Sequence, residues 1–213
     1  MRRLLIYCES KTEENFVVTV LAPYLAQAGI CAIATGAGGV DRYAKIARDL
    51  QKLCKDSDAI TTTLLDFYKM PADAPGVKTA TGDCHEKARH IESKITEDFG
   101  NPDNLLINLL IHEFEGLLFS KPTAFEGVGL PSAGKREIIQ LQNIKNDSRF
   151  PTPEHINDTY ETVPSRRIER IISGYSKPFH GIIVAERIGI DGICAECKHF
   201  ADWVAKIISM VKG

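Results

Sequence analysis

The chain has 213 residues, 44% hydrophobic and 25% charged, a composition that suits one globular domain with a full core. Its formal net charge of −2 provides no global positive field to attract nucleic acid, which leaves only a local basic groove for that purpose. No apolar run reaches the roughly 18 residues of a membrane span, and Met1-Arg2-Arg3 leads straight into a short strand with no room for a signal segment, so a cytoplasmic location is expected.

In chain order, the apolar run Leu4 to Cys8 reads as a buried strand of a parallel sheet. It stops at Glu9, and Ser10 with Glu13 has the form of a capping box that starts a helix. Glu9 therefore lies in a βα turn, where open α/β sheets keep their chemistry. Phe16, Val17, Val20, Leu21, Tyr24 and Leu25 repeat at helical spacing, with Pro23 inside the helix and Gly29 ending it. Ile30 to Thr35 is a second strand. Gly36-Ala37-Gly38-Gly39 is a turn before a helix whose buried face is Tyr43, Ile46, Ala47, Leu50 and Leu53. Such a glycine-rich turn can cradle phosphate, but this one lacks both the Walker lysine pattern and the dinucleotide spacing.

Ala59 to Leu65 is the third strand and delivers Asp66 to its carboxyl end. A loop over 71–82 follows, then a helix capped by Asp83 and Glu86, with Ala88, Ile91, Ile95 and Phe99 facing inward. Leu105 to Ile111 is the fourth strand; it ends in His112-Glu113-Phe114-Glu115, and a short helix follows. Beyond Ser120 the patterns are helical: Lys135 to Ile144, Pro153 to Asp158 with Thr152 as N-cap, Pro164 to Ile172 with Ser165 as a candidate cap, Phe179 to Ile188, and Ile193 to Val211. This order predicts an α/β fold with a mainly parallel four-stranded sheet. Residues 1–213 form a single domain on this reading, with an α/β core over 1–120 and a helical extension over 121–213 packed on it.

Three of the four strands stop at an acid. Adjacent parallel strands lie about 4.8 Å apart, so Glu9, Asp66 and Glu113 or Glu115 could share one hard cation such as Mg²⁺. Acids after strands also serve as ordinary helix caps, and that is the rival reading of each. The six cysteines, with Cys8, Cys31 and Cys54 inside apolar runs, read as reduced core residues. Cys194 and Cys197 form a lone C-x-x-C near His199; a structural zinc normally needs a second pair, so helix-face cysteines are the simpler reading.

The stretches Cys8-Glu9-Ser10-Lys11-Thr12-Glu13-Glu14-Asn15-Phe16-Val17, Leu65-Asp66-Phe67-Tyr68-Lys69-Met70-Pro71 and Ile111-His112-Glu113-Phe114-Glu115-Gly116-Leu117-Leu118-Phe119 resemble a bacterial family known as domain-of-unknown-function family 4276. So do Pro164-Ser165-Arg166-Arg167-Ile168, His180-Gly181 and Ala185-Glu186-Arg187-Ile188-Gly189. The family is grouped with Toprim-like proteins, the metal-binding fold of topoisomerases, primases and overcoming-lysogenization-defect nucleases, and its members often stand beside ATPases in restriction or phage-defence gene clusters. Toprim sites use a glutamate after the first strand, which Glu9 matches, and an Asp-x-Asp after a later one. Asp66 matches the first of these aspartates; Tyr68 stands in place of the second, and Ser10 in place of a common glycine.

The resemblance implies a Mg²⁺- or Mn²⁺-dependent nuclease, a hydrolase of nucleic acid in phage defence. Glu9 and Asp66 would be its catalytic residues, and Glu9, Asp66, Glu113 and Glu115 its metal ligands. Arg166, Arg167, Lys177 and Arg187 would be phosphate clamps. The other reading is a non-catalytic partner of an ATPase with a degenerate Toprim site, and a small-molecule phosphotransferase using the Gly36 to Gly39 turn is a weaker third. Expected partners are an ATPase, DNA or RNA, and a second copy of the chain.

Overall fold

The computed structural model describes residues 3–36, 38–39, 41–157 and 162–212. Met1, Arg2, Ala37 and Asp158, which enter the readings above, lie outside the described residues. The chain divides into two compact units, one made of Met1–Ile111 with Asp202–Gly213 and the other of His112–Ala201.

The first unit is built on a parallel sheet. Strands β1 (Arg3–Cys8), β2 (Cys31–Gly36) and β3 (Ala59–Asp66) are joined by β4 (Leu105–Leu106) and β5 (Leu109–Leu110), in the order β2-β1-β3-β4, with β5 also paired to β3. β1, apolar from Leu4 to Cys8, and β3, buried at all eight positions, are the two inner strands. The expected fourth strand over 105–111 is interrupted between β4 and β5. There the Thr63 hydroxyl accepts from Asn108 N (2.8 Å) and donates to Asn108 O (2.7 Å), taking over the ladder's role. Helices cover both faces, as a parallel sheet requires. Alternate residues of β1 serve the two faces: Tyr7 packs with Leu65 against Ile46 and Leu50 of α3 (Tyr43–Leu53) and Ile91 and Ile95 of α4 (Cys84–Asp98).

Helix α1 (Lys11–Phe16) starts at the expected capping box of Ser10 and Glu13, and α4 starts at that of Asp83 and Glu86. Between α1 and α2 (Ala22–Gln27), Val17–Leu21 is a π-helical turn in which Ala22 N–H reaches Val17 O. Pro23 supplies no N–H, so the backbone ladder widens just before it. Gly29 closes this stretch at φ +78°.

The second unit is helical: α5 (Phe114–Leu118), α6 (Lys135–Lys145), α7 (Pro164–Ile171), a π-helical turn at Lys177–Gly181, and α8 (Ile182–Glu196). Pro153–His155 is a single 3₁₀ turn, shorter than expected. α8 breaks at Gly189 (φ +73°, ψ 159°), so the helix expected to end at Ile188 does end there. The last expected helix does not start at Ile193: the backbone leaves the helix at Cys197 and restarts as α9 (Lys198–Lys212). The restart is held by Glu154, 2% exposed, which accepts His199 N and Phe200 N, each at 3.0 Å, at the positive end of the new helix. Further along α9, the buried Trp203 donates its indole N–H to Thr62 Oγ1 of β3 at 2.8 Å.

This is the α/β layout expected of a Toprim-like chain: a parallel sheet flanked by helices, with five strands because the expected fourth is split into β4 and β5, followed by a helical C-terminal segment. The cysteine reading needs one correction. All six are free, as expected, but only Cys8 and Cys197 are buried: Cys54, Cys84 and Cys194 are half-buried, and Cys31 is exposed because β2 is the edge strand. No helix among the described residues is long and apolar enough to cross a membrane.

Candidate functional site

In the first unit, β1 and β3 are direct neighbours in register, so their carboxyl ends deliver Glu9 and Asp66 side by side. Glu9 Oε2 accepts the backbone N–H of Asp66 at 2.8 Å, and Glu9 Oε1 accepts Lys69 Nζ at 2.8 Å. Asp66 Oδ1 accepts the N–H of Tyr68 at 2.8 Å, which shapes the turn Phe67–Lys69, while Asp66 Oδ2 lies 3.7 Å from Lys69 Nζ. Each carboxylate is therefore pinned through one oxygen by a backbone amide and turns the other toward the same ammonium. A carboxylate oxygen is an acceptor with more than one lone-pair direction, so an amide contact does not by itself prevent it from also facing a cation. Burial would lower the Lys69 pKa, but the hydrogen bond to Glu9 and the charges of Glu9, Asp66 and Glu13 outweigh it and raise it. Glu13, 6% exposed, is thus a third acid whose field reaches this point.

A second pair of acids forms in the helical unit. His112, at φ +70° an uncommon conformation for a residue with a side chain, immediately precedes Glu113, the N-cap position of α5. Glu113 Oε2 accepts Ser165 N at 2.9 Å, and Glu113 Oε1 lies 3.4 Å from Lys177 Nζ. Ser165 is therefore not the cap of α7. Val163 holds that position, and the Ser165 amide, one of the helix's unsatisfied first-turn donors, is taken up by Glu113. Glu115, fully buried, places Oε2 2.9 Å from Lys177 Nζ and accepts the Tyr175 hydroxyl at 3.5 Å through Oε1. Burial pushes the Glu115 carboxyl up to about 7; the Lys177 charge and hydrogen bond oppose this and the Glu113 charge adds to it. Burial and Glu115 together raise the Tyr175 phenol as well. Gly181 lets the ring approach, since a Cβ there would sit 2.7 Å from the Tyr175 hydroxyl.

The two pairs share one plan: two acids, one lysine between them, and a backbone amide on the first acid. Both are oxygen-only donor sets, the chemistry that suits Mg²⁺ or Mn²⁺. Sequence reasoning named all four acids and Lys177. It missed Lys69, Glu13 and Tyr175. Of these, only Lys69, three residues after Asp66, carried a local signal.

The basic residues fare differently. Arg187 spends its guanidinium on the carbonyls of Ala124, Glu126 and Gly127, at 3.2, 2.6 and 3.1 Å. Arg167 donates to Thr162 O at 2.5 Å and stacks over the Phe150 ring at 5.2 Å. Both hold the backbone of the helical unit together. Arg166 is half-buried in the first turn of α7, and Lys177 is engaged by the two acids. In the glycine-rich turn, Gly39 N–H is spent on Glu9 O, so that amide does not point at an anion.

The family model described as "Domain of unknown function (DUF4276)" matches residues 8–208. No curated protein matches the chain. Among solved structures, the C-terminal region of the Burkholderia pseudomallei OLD protein is similar at 16% identity and TM-score 0.47, covering 98% of this chain and 99% of that one. The C-terminal region of the Xanthomonas campestris pv. campestris OLD protein is similar at 18% identity and TM-score 0.41, covering 95% and 96%.

Proposed function

We propose that this chain, which belongs to the DUF4276 family, is a Toprim-like phosphodiesterase that cleaves nucleic acid with Mg²⁺ or Mn²⁺ and serves in bacterial phage defence. The observation that carries this reading is the convergence of Glu9 and Asp66, 57 positions apart in the chain, on one ammonium at the carboxyl end of the sheet. Acidic side chains 5–6% exposed do not gather in this way without a cation to balance them, and here they gather where open α/β sheets bind ligands.

A bound divalent cation would polarise a phosphoryl oxygen and offset the charge that develops on the leaving oxygen. Glu9 and Asp66 would hold it, each oriented by its backbone amide. Glu113 and Glu115 form the second oxygen pair. Glu115, whose carboxyl is pushed up to about 7, is also suited to acid–base work. Lys177, already the meeting point of two acids, and Arg166 remain the basic groups for phosphate.

The test is cleavage of single- and double-stranded DNA and RNA with Mg²⁺ or Mn²⁺. Glu9→Gln and Asp66→Asn should each lose at least 100-fold in rate while keeping the circular dichroism of the parent. Undiminished cleavage by both variants would contradict the assignment.

One feature favours a second reading, a non-catalytic partner of an ATPase. Tyr68 stands where the Toprim pattern has a second aspartate, and its side chain is exposed. A stable complex with an ATPase, together with no cation binding, would select that reading.

A further inference from the structure

We propose that the Lys69 ammonium is the built-in counter-cation of the Glu9–Asp66 pair, and that a divalent cation enters this pair only by displacing it. The inference rests on reading Glu9 and Asp66 as cation ligands. It adds a residue that neither the Toprim pattern nor the acid count points to.

The geometry carries it. Glu9 Oε2 and Asp66 Oδ1 are the oxygens pinned by backbone amides. The opposite oxygens, Glu9 Oε1 and Asp66 Oδ2, are the ones the pair presents together, and Lys69 Nζ lies 2.8 and 3.7 Å from them. A cation held by both side chains would need these same oxygens. An ammonium and a divalent ion cannot share them, because three positive charges would meet within a few ångströms.

The lysine is also placed to leave. Its side chain is 56% exposed, whereas those of Glu9 and Asp66 are 6% and 5% exposed. Its backbone sits at the end of a three-residue 3₁₀ turn, so the four-carbon stem can swing into water without moving a strand. Lys177 makes a useful contrast. Its side chain is 32% exposed and it meets a fully buried Glu115, so it is held more deeply in its own pair.

While Lys69 is in place, its ammonium offsets the charge of the two carboxylates at the carboxyl end of the sheet. Removing the ammonium leaves two buried acids that only a proton or a metal can balance. Lys69→Met should therefore bind cations more tightly than the parent, the reverse of what loss of a ligand or of a structural support would give.

The experiment is calorimetric titration of Mn²⁺ into the full chain, the Lys69→Met and Lys69→Gln variants, and Glu9→Gln, each checked for folding by circular dichroism. We expect at least tenfold tighter Mn²⁺ binding by the folded Lys69 variants, and loss of that gain when Glu9→Gln is added. A second measurement needs no variant: the rate at which Lys69 is reductively methylated, read by peptide mass spectrometry, should rise when Mg²⁺ is added. Unchanged or weaker Mn²⁺ binding by the Lys69 variants, with wild-type binding still abolished by Glu9→Gln, would overturn this inference and leave the cation site standing. A methylation rate that Mg²⁺ leaves unchanged or slows would overturn it in the same way. Absence of Mn²⁺ binding in both the parent and the Lys69 variants would overturn both.

Discussion

Glu115 has no exposed surface, and its ordinary pKa of 4.5 is pushed up to about 7 by burial, against the pull of Lys177. A carboxyl raised in this way binds its proton more tightly in the folded chain than in the unfolded one. Its contribution to stability is therefore fully present below about pH 4.5 and is lost as pH rises toward 7. Glu115→Gln removes the titration but keeps the volume. The expected outcome is a stability curve flatter than the parent's between pH 4.5 and 7, read from denaturant midpoints at a series of pH values. Parallel curves would show that Glu115 ionises normally. At this scale the sequence was informative about acids and poor about their partners. Glu9, Asp66, Glu113 and Glu115 were legible because each follows an apolar run, and strand ends are where a sheet delivers side chains. Tyr175 and the Ser165 amide were not legible, because each acquires its role from a residue 52 to 60 positions away; Lys69 carried only the faint signal of standing three residues after Asp66. Arg187 was expected to clamp phosphate, yet its guanidinium donates to three backbone carbonyls, which only the folded backbone reveals.

Among the elements, those with local instructions matched expectation. Two capping boxes start α1 and α4 where the side-chain spacing placed them, and Gly29 and Gly189 end helical segments through a backbone conformation that glycine adopts without penalty. The mismatches have tertiary causes. The run Leu105 to Ile111 reads as one strand, but β4 and β5 are separated where the Thr63 side chain substitutes for a ladder partner. Thr63→Val keeps the shape and deletes that substitute, leaving the buried Asn108 N–H and C=O unmatched. The expected loss is about 1–3 kcal/mol per unsatisfied group, measured by urea unfolding, with faster amide exchange at Asn108. A variant as stable as the parent would mean that Asn108 finds other partners. The break at Cys197 is of the same kind: nothing near Cys194 and Cys197 announces it, and the carboxylate that restarts α9 comes from Glu154, some 45 positions earlier.

For the whole molecule, the account is that a parallel α/β sheet brings two acids together at its carboxyl edge around one lysine, which the proposed divalent cation would displace. The fold class was legible because strand, helix and turn signals alternate in the simplest order a parallel sheet allows. The balance of charge at the site was not, since it depends on how β1 and β3 are paired. Everything said of function requires the Glu9–Asp66 pair to take a divalent cation. Isothermal titration of Mg²⁺ and Mn²⁺ into the parent and into a Glu9→Gln, Asp66→Asn double variant tests this most directly. The account requires saturable binding in the parent that disappears in the folded double variant; equal binding by both proteins, or none by the parent, would contradict it.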